Sequence, residues 1–158
     1  MERSSVGPLS LQEIEGLLPH RPPMRLVDTV VQVSFDPRFA IIATKQVQSD
    51  DVCFKGHYPG RPIFPGVLIL EGLAPTGLLL FQLSGRAMKL EEVPILASIE
   101  GRFVKPVFPG DKLVYRVEID KRTEVAAIFH GTAEVDDVIV AKGDFSFGVK
   151  PWTLLSPR

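Results

Sequence analysis

Apolar and polar positions alternate along this chain with two different periods. Ser10 followed by Glu13 has the form of a capping box, and Leu11, Ile14, Leu17 and Leu18 then share one helical face. The spacing predicts a short amphipathic helix over about Leu11 to Leu18, ended by Pro19, Pro22 and Pro23, since a residue before proline avoids the helical region. Met24 to Val33 and Phe39 to Val47 are rich in Val, Ile, Thr and Phe and flank Asp36-Pro37, which predicts an antiparallel hairpin. Gly56 to Gly66 contains Pro59, Gly60, Pro62 and Pro65 and cannot be regular structure. Val67 to Ser84 is long enough for about five helical turns and is apolar around most of its circumference, so it predicts a central helix opening at Pro65-Gly66.

The remainder is β-rich. Strands are predicted over about Ile95 to Lys105, Lys112 to Asp120, Val125 to Val135 and Val138 to Val149, joined by short polar turns that favour antiparallel pairing. The expected fold class is α+β, a curved antiparallel β-sheet wrapped around one long central helix. A single domain is expected over residues 1–158, with an ordered core over about 9–150 and loose tails at Met1 to Ser5 and Ser156 to Arg158.

Composition narrows the partners. With 45% hydrophobic and 23% charged residues the chain can bury a core, and a net charge of -1 without basic runs gives no electrostatic pull toward nucleic acid. The single cysteine, Cys53, cannot form an intrachain disulfide; it fits a reducing compartment and reads as a small apolar residue more than a nucleophile. The first residues lack the apolar core of a signal peptide, and Val67 to Leu83, the most apolar run, is interrupted by Glu71, Pro75, Thr76 and Gln82, so no membrane span and a cytoplasmic location are expected.

Glu71 is the chemical anomaly, set within Val67-Leu68-Ile69-Leu70-Glu71-Gly72-Leu73-Ala74. Burying an ionised carboxylate without partners is costly or raises its pKa, and a raised pKa suits a proton donor at neutral pH. The alternative is a narrow wet stripe shared with Pro75 and Gln82, on which Glu71 does nothing. His57 stands in the rigid loop Gly56-His57-Tyr58-Pro59-Gly60-Arg61-Pro62, where preorganised proton transfer has the backbone it needs. His20, after a proline at a helix exit, and His130, in an alternating strand, are weaker candidates. Unpaired amides at the start of the helix, from Gly66 on, favour developing negative charge. Base, acid and anion site together suit removal of a proton α to a carbonyl with departure of a β-substituent. No zinc-ligand spacing, nucleotide-phosphate motif or Gly-x-Ser-x-Gly elbow is present, so no metal or cofactor is expected.

Leu18-Pro19-His20-Arg21-Pro22-Pro23 with Val27-Asp28, then Phe54-Lys55-Gly56-His57-Tyr58-Pro59, Pro65-Gly66-Val67-Leu68-Ile69-Leu70-Glu71, and Arg102-Phe103 through Pro109-Gly110-Asp111 follow in order. In these motifs the chain resembles the 3-hydroxyacyl-acyl-carrier-protein dehydratases of type II fatty acid synthesis, over about Leu17 to Gly148. The resemblance implies a hot-dog fold, at least a homodimer and often a trimer of dimers, with each site shared between subunits. It implies His57 as the base at C2, Glu71 as the acid at the 3-hydroxyl, Gly66 and Val67 binding the thioester oxygen, and an apolar tunnel beside the helix. Acyl carrier protein is the implied partner, with Arg86, Lys89, Arg102 or Lys105 as docking candidates.

The sequence departs from the family pattern at Gly72 and Pro75, where alanine and glutamine are usual, and at Arg25, where an apolar residue is usual. Proline at 75 removes the hydrogen bond to the Glu71 carbonyl, which predicts a kink at the acidic residue. Two other readings stay open on sequence: a non-catalytic acyl-binding subunit, and a hot-dog thioesterase, whose chemistry does not require His57.

Overall fold

A computed structural model describes residues 5–155. Its elements are β1 (Ser5–Val6), α1 (Leu11–Leu17), β2 (Thr29–Ser34), β3 (Ala40–Gln46), α2 (Gly66–Leu83), β4 (Glu92–Phe103), β5 (Lys112–Arg122), β6 (Ala126–Val135) and β7 (Val138–Pro151). The strands form one seven-stranded sheet in the order β1-β2-β3-β5-β6-β7-β4. All of its pairings are antiparallel. After β3 the chain crosses through α2 to lay down β4 at the far edge, then returns to pair β5 with β3. That crossing sends the helix over the inner face, where it meets β3, β4, β5, β6 and β7.

Alternation explains the core. Leu113, Tyr115 and Val117 point inward from β5 at a spacing of two, on the face that α2 covers. Phe129 packs 4.9 Å from both Phe145 and Phe147, and Phe81 meets Phe147 edge-on at 5.4 Å, so an aromatic cluster fills the space between the helix and β6–β7. By length and composition α2 is apolar enough to cross a bilayer. Here its apolar surface is covered by the sheet, as a central core helix requires.

Several boundaries differ from those expected. The strand predicted from Met24 begins only at Thr29, because the preceding segment is tied down side-on: the Asp28 carboxylate accepts from the Gln46 amide at 2.7 Å, and Arg25 pairs with Glu15 at 3.1 Å. Ser5, expected in a loose tail, pairs with Ser34 in β1; Met1 to Ser4 and Ser156 to Arg158 lie outside the described residues. The helix runs unbroken through Pro75. Dense packing on nearly every side holds it, and the Thr76 hydroxyl donates to the Gly72 carbonyl at 2.8 Å. Gly72 is required for a different reason than looseness: a Cβ there would collide with the buried Tyr115 ring.

Candidate active site

The loop before α2 holds His57 in one orientation. Its Nδ1 lies 2.8 Å from the Ile63 carbonyl oxygen. A carbonyl only accepts, so the bond places the ring proton on Nδ1 and leaves Nε2 with a free lone pair. The Tyr58 ring stacks on the imidazole at 4.2 Å and limits its rotation about that bond. The loop closes on itself through Ile63 N–H to the His57 carbonyl, and Phe64 N–H donates to Val107 at 2.7 Å. Irregular backbone is thus pinned at both ends without belonging to the sheet.

His57 faces a 470 Å³ pocket whose lining includes Gly66, Val67, Phe103, Val104 and Lys105. The amides of Gly66 and Val67 head α2, and no backbone carbonyl among the described residues accepts from them, whereas Leu68 and Ile69 both donate to Pro65. Their N–H groups and the helix dipole make this end of the pocket an anion site. Gly66 is needed sterically, because a Cβ would stand 2.7 Å from the Phe103 ring. The structure therefore brings His57, Gly66 and Val67 together, with an apolar wall from β4.

Glu71 lies elsewhere in the same chain. It is half-buried in a separate 90 Å³ cavity with His20, Ala74, Pro75, Leu78, Pro94, Leu96 and Phe147. Ile69 lines the first pocket and Glu71 the second; residues two apart point about 200° from each other around a helix. Burial pushes the Glu71 carboxyl up from its ordinary value of 4.5, with no charged or hydrogen-bonded neighbour among the described residues to offset it. His20, ranked low on sequence, shares this cavity; its Nδ1 is buried without a partner, and burial together with Arg21 lowers its pKa. The only sequence signal for that placement is the proline-rich turn after α1, which folds the ring back toward α2.

The remaining candidates have ordinary roles. His130 sits between Asp120 at 2.8 Å and Glu118 at 3.5 Å on the outer face of the sheet. Cys53 is part-buried with its thiol pKa raised by burial. Arg86 forks onto Glu92 at 2.7 and 2.9 Å, which neutralises it as a docking charge and holds the Glu92 carboxyl well below the usual range. Lys89 and Arg102 are exposed, and Lys105 stands at the rim of the His57 pocket. Among the described residues no cluster of His, Cys, Asp or Glu could hold a metal ion.

The comparisons with known proteins agree with this architecture. The FabA-like domain matches residues 18–144. The 3-hydroxyacyl-[acyl-carrier-protein] dehydratase FabZ of Anaeromyxobacter sp. (strain Fw109-5) is 43% identical over 147 residues, covering 91% of this chain and 92% of that protein. Among solved structures, the dehydratase heterocomplex ApeI:P of Xenorhabdus doucetiae superposes with a TM-score of 0.67 at 16% identity, over 90% of this chain and 93% of that one. A hot-dog-like protein of Thermanaerovibrio acidaminovorans superposes at 0.60 and 16% identity, over 75% of this chain and 85% of its own. The fold is the hot-dog fold, and the chain belongs to the FabA-like family, among its 3-hydroxyacyl-[acyl-carrier-protein] dehydratases.

Proposed function

We propose that this chain dehydrates (3R)-hydroxyacyl groups on acyl carrier protein to trans-2-enoyl groups, in sites that each take His57 from one subunit and Glu71 from a second copy. The observation that carries the reading is the His57 Nδ1–H bond to Ile63, which aims a basic Nε2 into a pocket headed by unpaired amides. Nε2 takes the proton from C2 of the acyl chain. The thioester oxygen gathers the charge and accepts from the Gly66 and Val67 amides. Glu71, whose pKa is raised by burial, gives its proton to the 3-hydroxyl, the C3–O bond breaks, and water leaves as the C2–C3 double bond forms. Solvent then takes up the proton gained by His57 and replaces the one lost by Glu71.

Pairing of two copies is supported by β4. It bonds to β7 on one side only and presents an open edge. Its residues Leu96, Ile99 and Phe103 stay 41%, 38% and 51% exposed, although their partners across the ladder, Phe147, Phe145 and Ala141, are buried. Phe103 marks the His57 pocket and Leu96 the Glu71 cavity, about 20 Å apart along the strand. Antiparallel pairing of β4 with its own copy about a twofold axis near Ile99 lays the Phe103 end of one chain over the Leu96 end of the other. The base of each subunit then meets the acid of its partner.

Mixing two inactive variants tests this. His57→Ala and Glu71→Gln, each inactive alone in a mass-spectrometric assay of water loss, are combined and allowed to exchange subunits. A shared site restores about a quarter of wild-type activity, since half the dimers are mixed and one of their two sites is intact. No recovery after verified exchange means that each site lies within one chain.

A further inference from the structure

The cavity that holds Glu71 is small and its far end is fixed. Glu71, Ala74, Pro75 and Leu78 follow one another at helical spacing and form one stripe of α2, while Pro94 and Leu96 of β4 and Phe147 of β7 close the other side. An acyl chain whose C3 hydroxyl reaches Glu71 must send its remaining carbons along this stripe. The volume there is 90 Å³. An apolar cavity of roughly 150 Å³ in a protein interior takes up benzene and its six carbons, so this one holds about four.

The end wall does not yield readily. Leu78 and Phe147 are 2% and 4% exposed. The Phe147 ring is held edge-on by Phe81 at 5.4 Å and stacked by Phe129 at 4.9 Å, and Phe129 packs in turn on Phe145. Phe145 and Phe129 lie close enough to Gly77 of α2 that a Cβ there would stand 2.9 Å from one ring and 3.1 Å from the other. Moving Phe147 therefore means repacking a dense aromatic cluster against the helix backbone. Pro75, where the helix departs from the motif it otherwise resembles, adds a ring with no side-chain rotation to make room. A second copy lying along β4 contributes atoms on the Pro94 and Leu96 side, but the wall of Leu78 and Phe147 belongs to this chain.

We infer that this chain selects short acyl chains, with Leu78 and Phe147 as the residues that stop the tail. The inference rests on the dehydratase reading of the same site. With C1 to C3 at the reacting centre and about four carbons in the cavity, about seven carbons are accommodated and the limit falls between the hexanoyl and octanoyl chains. Longer tails gain no further burial and must force the wall or remain in water.

The test is a series of carrier-protein substrates, 3-hydroxybutyryl, 3-hydroxyhexanoyl, 3-hydroxyoctanoyl, 3-hydroxydodecanoyl and 3-hydroxyhexadecanoyl, with kcat/KM measured for the wild-type protein. The expected result is a drop of about tenfold or more between the octanoyl and hexadecanoyl substrates. Leu78→Ala should recover most of that loss for the dodecanoyl chain. Should that core variant not fold, Leu96→Ala widens the same cavity from a position 41% exposed and is expected to shift the profile the same way. Hexadecanoyl turned over as efficiently as hexanoyl overturns the inference and leaves the dehydratase reading standing. Failure to remove water from any chain length overturns the dehydratase reading itself, and the inference with it.

Discussion

Around His57 the chain is irregular, open to solvent and held by main-chain bonds, whereas around Glu71 it is helical, apolar and almost without polar contacts. The first region is governed by geometry: the Ile63 carbonyl selects the Nδ1–H tautomer and Tyr58 sets the plane of the ring. The second is governed by solvation: among the described residues nothing bonds to the Glu71 carboxyl, and burial alone raises its pKa. A base must present its lone pair in one direction, so it needs fixed partners. An acid must keep its proton at neutral pH, so it needs the absence of partners. Two such environments are hard to build within a few ångströms in one chain, and in the proposed dimer their placement at opposite ends of an edge strand would let a second copy bring them together.

The sharpest way to break this comparison is to remove His57, the proposed base. His57→Ala is expected to lower kcat/KM by about 10²–10⁴-fold while leaving the fold intact, as read by turnover and circular dichroism on the same sample. A drop of only a few-fold would mean that the loop positions substrate and does not take its proton.

The acid half is probed by pH. In the proposed mechanism water loss needs Glu71 protonated, so kcat/KM should fall as pH rises through its raised pKa, and Glu71→Gln should lack that alkaline limb at a much lower plateau. Stability carries the same sign. The unfolded chain releases this proton near 4.5, the folded chain only at higher pH, so the wild type loses stability as pH climbs from 4.5 toward the folded value. Denaturation midpoints should show Glu71→Gln gaining on the wild type under mildly alkaline conditions and not under acid ones. His20, the titratable neighbour in the cavity, has its pKa lowered and supplies no counter-charge there.

Smaller effects separate glycines by their surroundings. Gly72→Ala pushes a methyl group into Tyr115 beside the acid and should cost about 1–3 kcal/mol in urea denaturation. Gly16, in α1, has open space around it, and Gly16→Ala should instead stabilise the protein by about 0.5–1 kcal/mol. Equal effects at the two sites would mean that the helix can move away from β5, and that the acid is less firmly placed than its packing implies.

Much of this was legible along the chain. The capping box at Ser10 forms with both of its bonds, the Pro- and Gly-rich loop carries His57, and α2 begins at Gly66. Pro75 shows the limit of local rules: the lost hydrogen bond was readable, but the dense packing around it keeps the helix continuous. Gly72 read as a weak point, yet it is the clearance that Tyr115 needs from a strand more than 40 residues away. The placement of His20 beside Glu71 had no periodic signal, because it depends on a turn folding onto a helix distant in sequence.

The sequence by itself determined which segments form elements, which helix is central, and which residues are the chemical candidates, because periodicity, proline, glycine and a carboxylate in an apolar run act locally. Only the tertiary structure decided that His57 and Glu71 occupy separate pockets, that β4 ends the sheet with Leu96, Ile99 and Phe103 left partly exposed, and that Leu78 and Phe147 wall the cavity beside Glu71. Those features arise from contacts between residues far apart in the chain, where volume and solvent exclusion, not local preference, set the outcome.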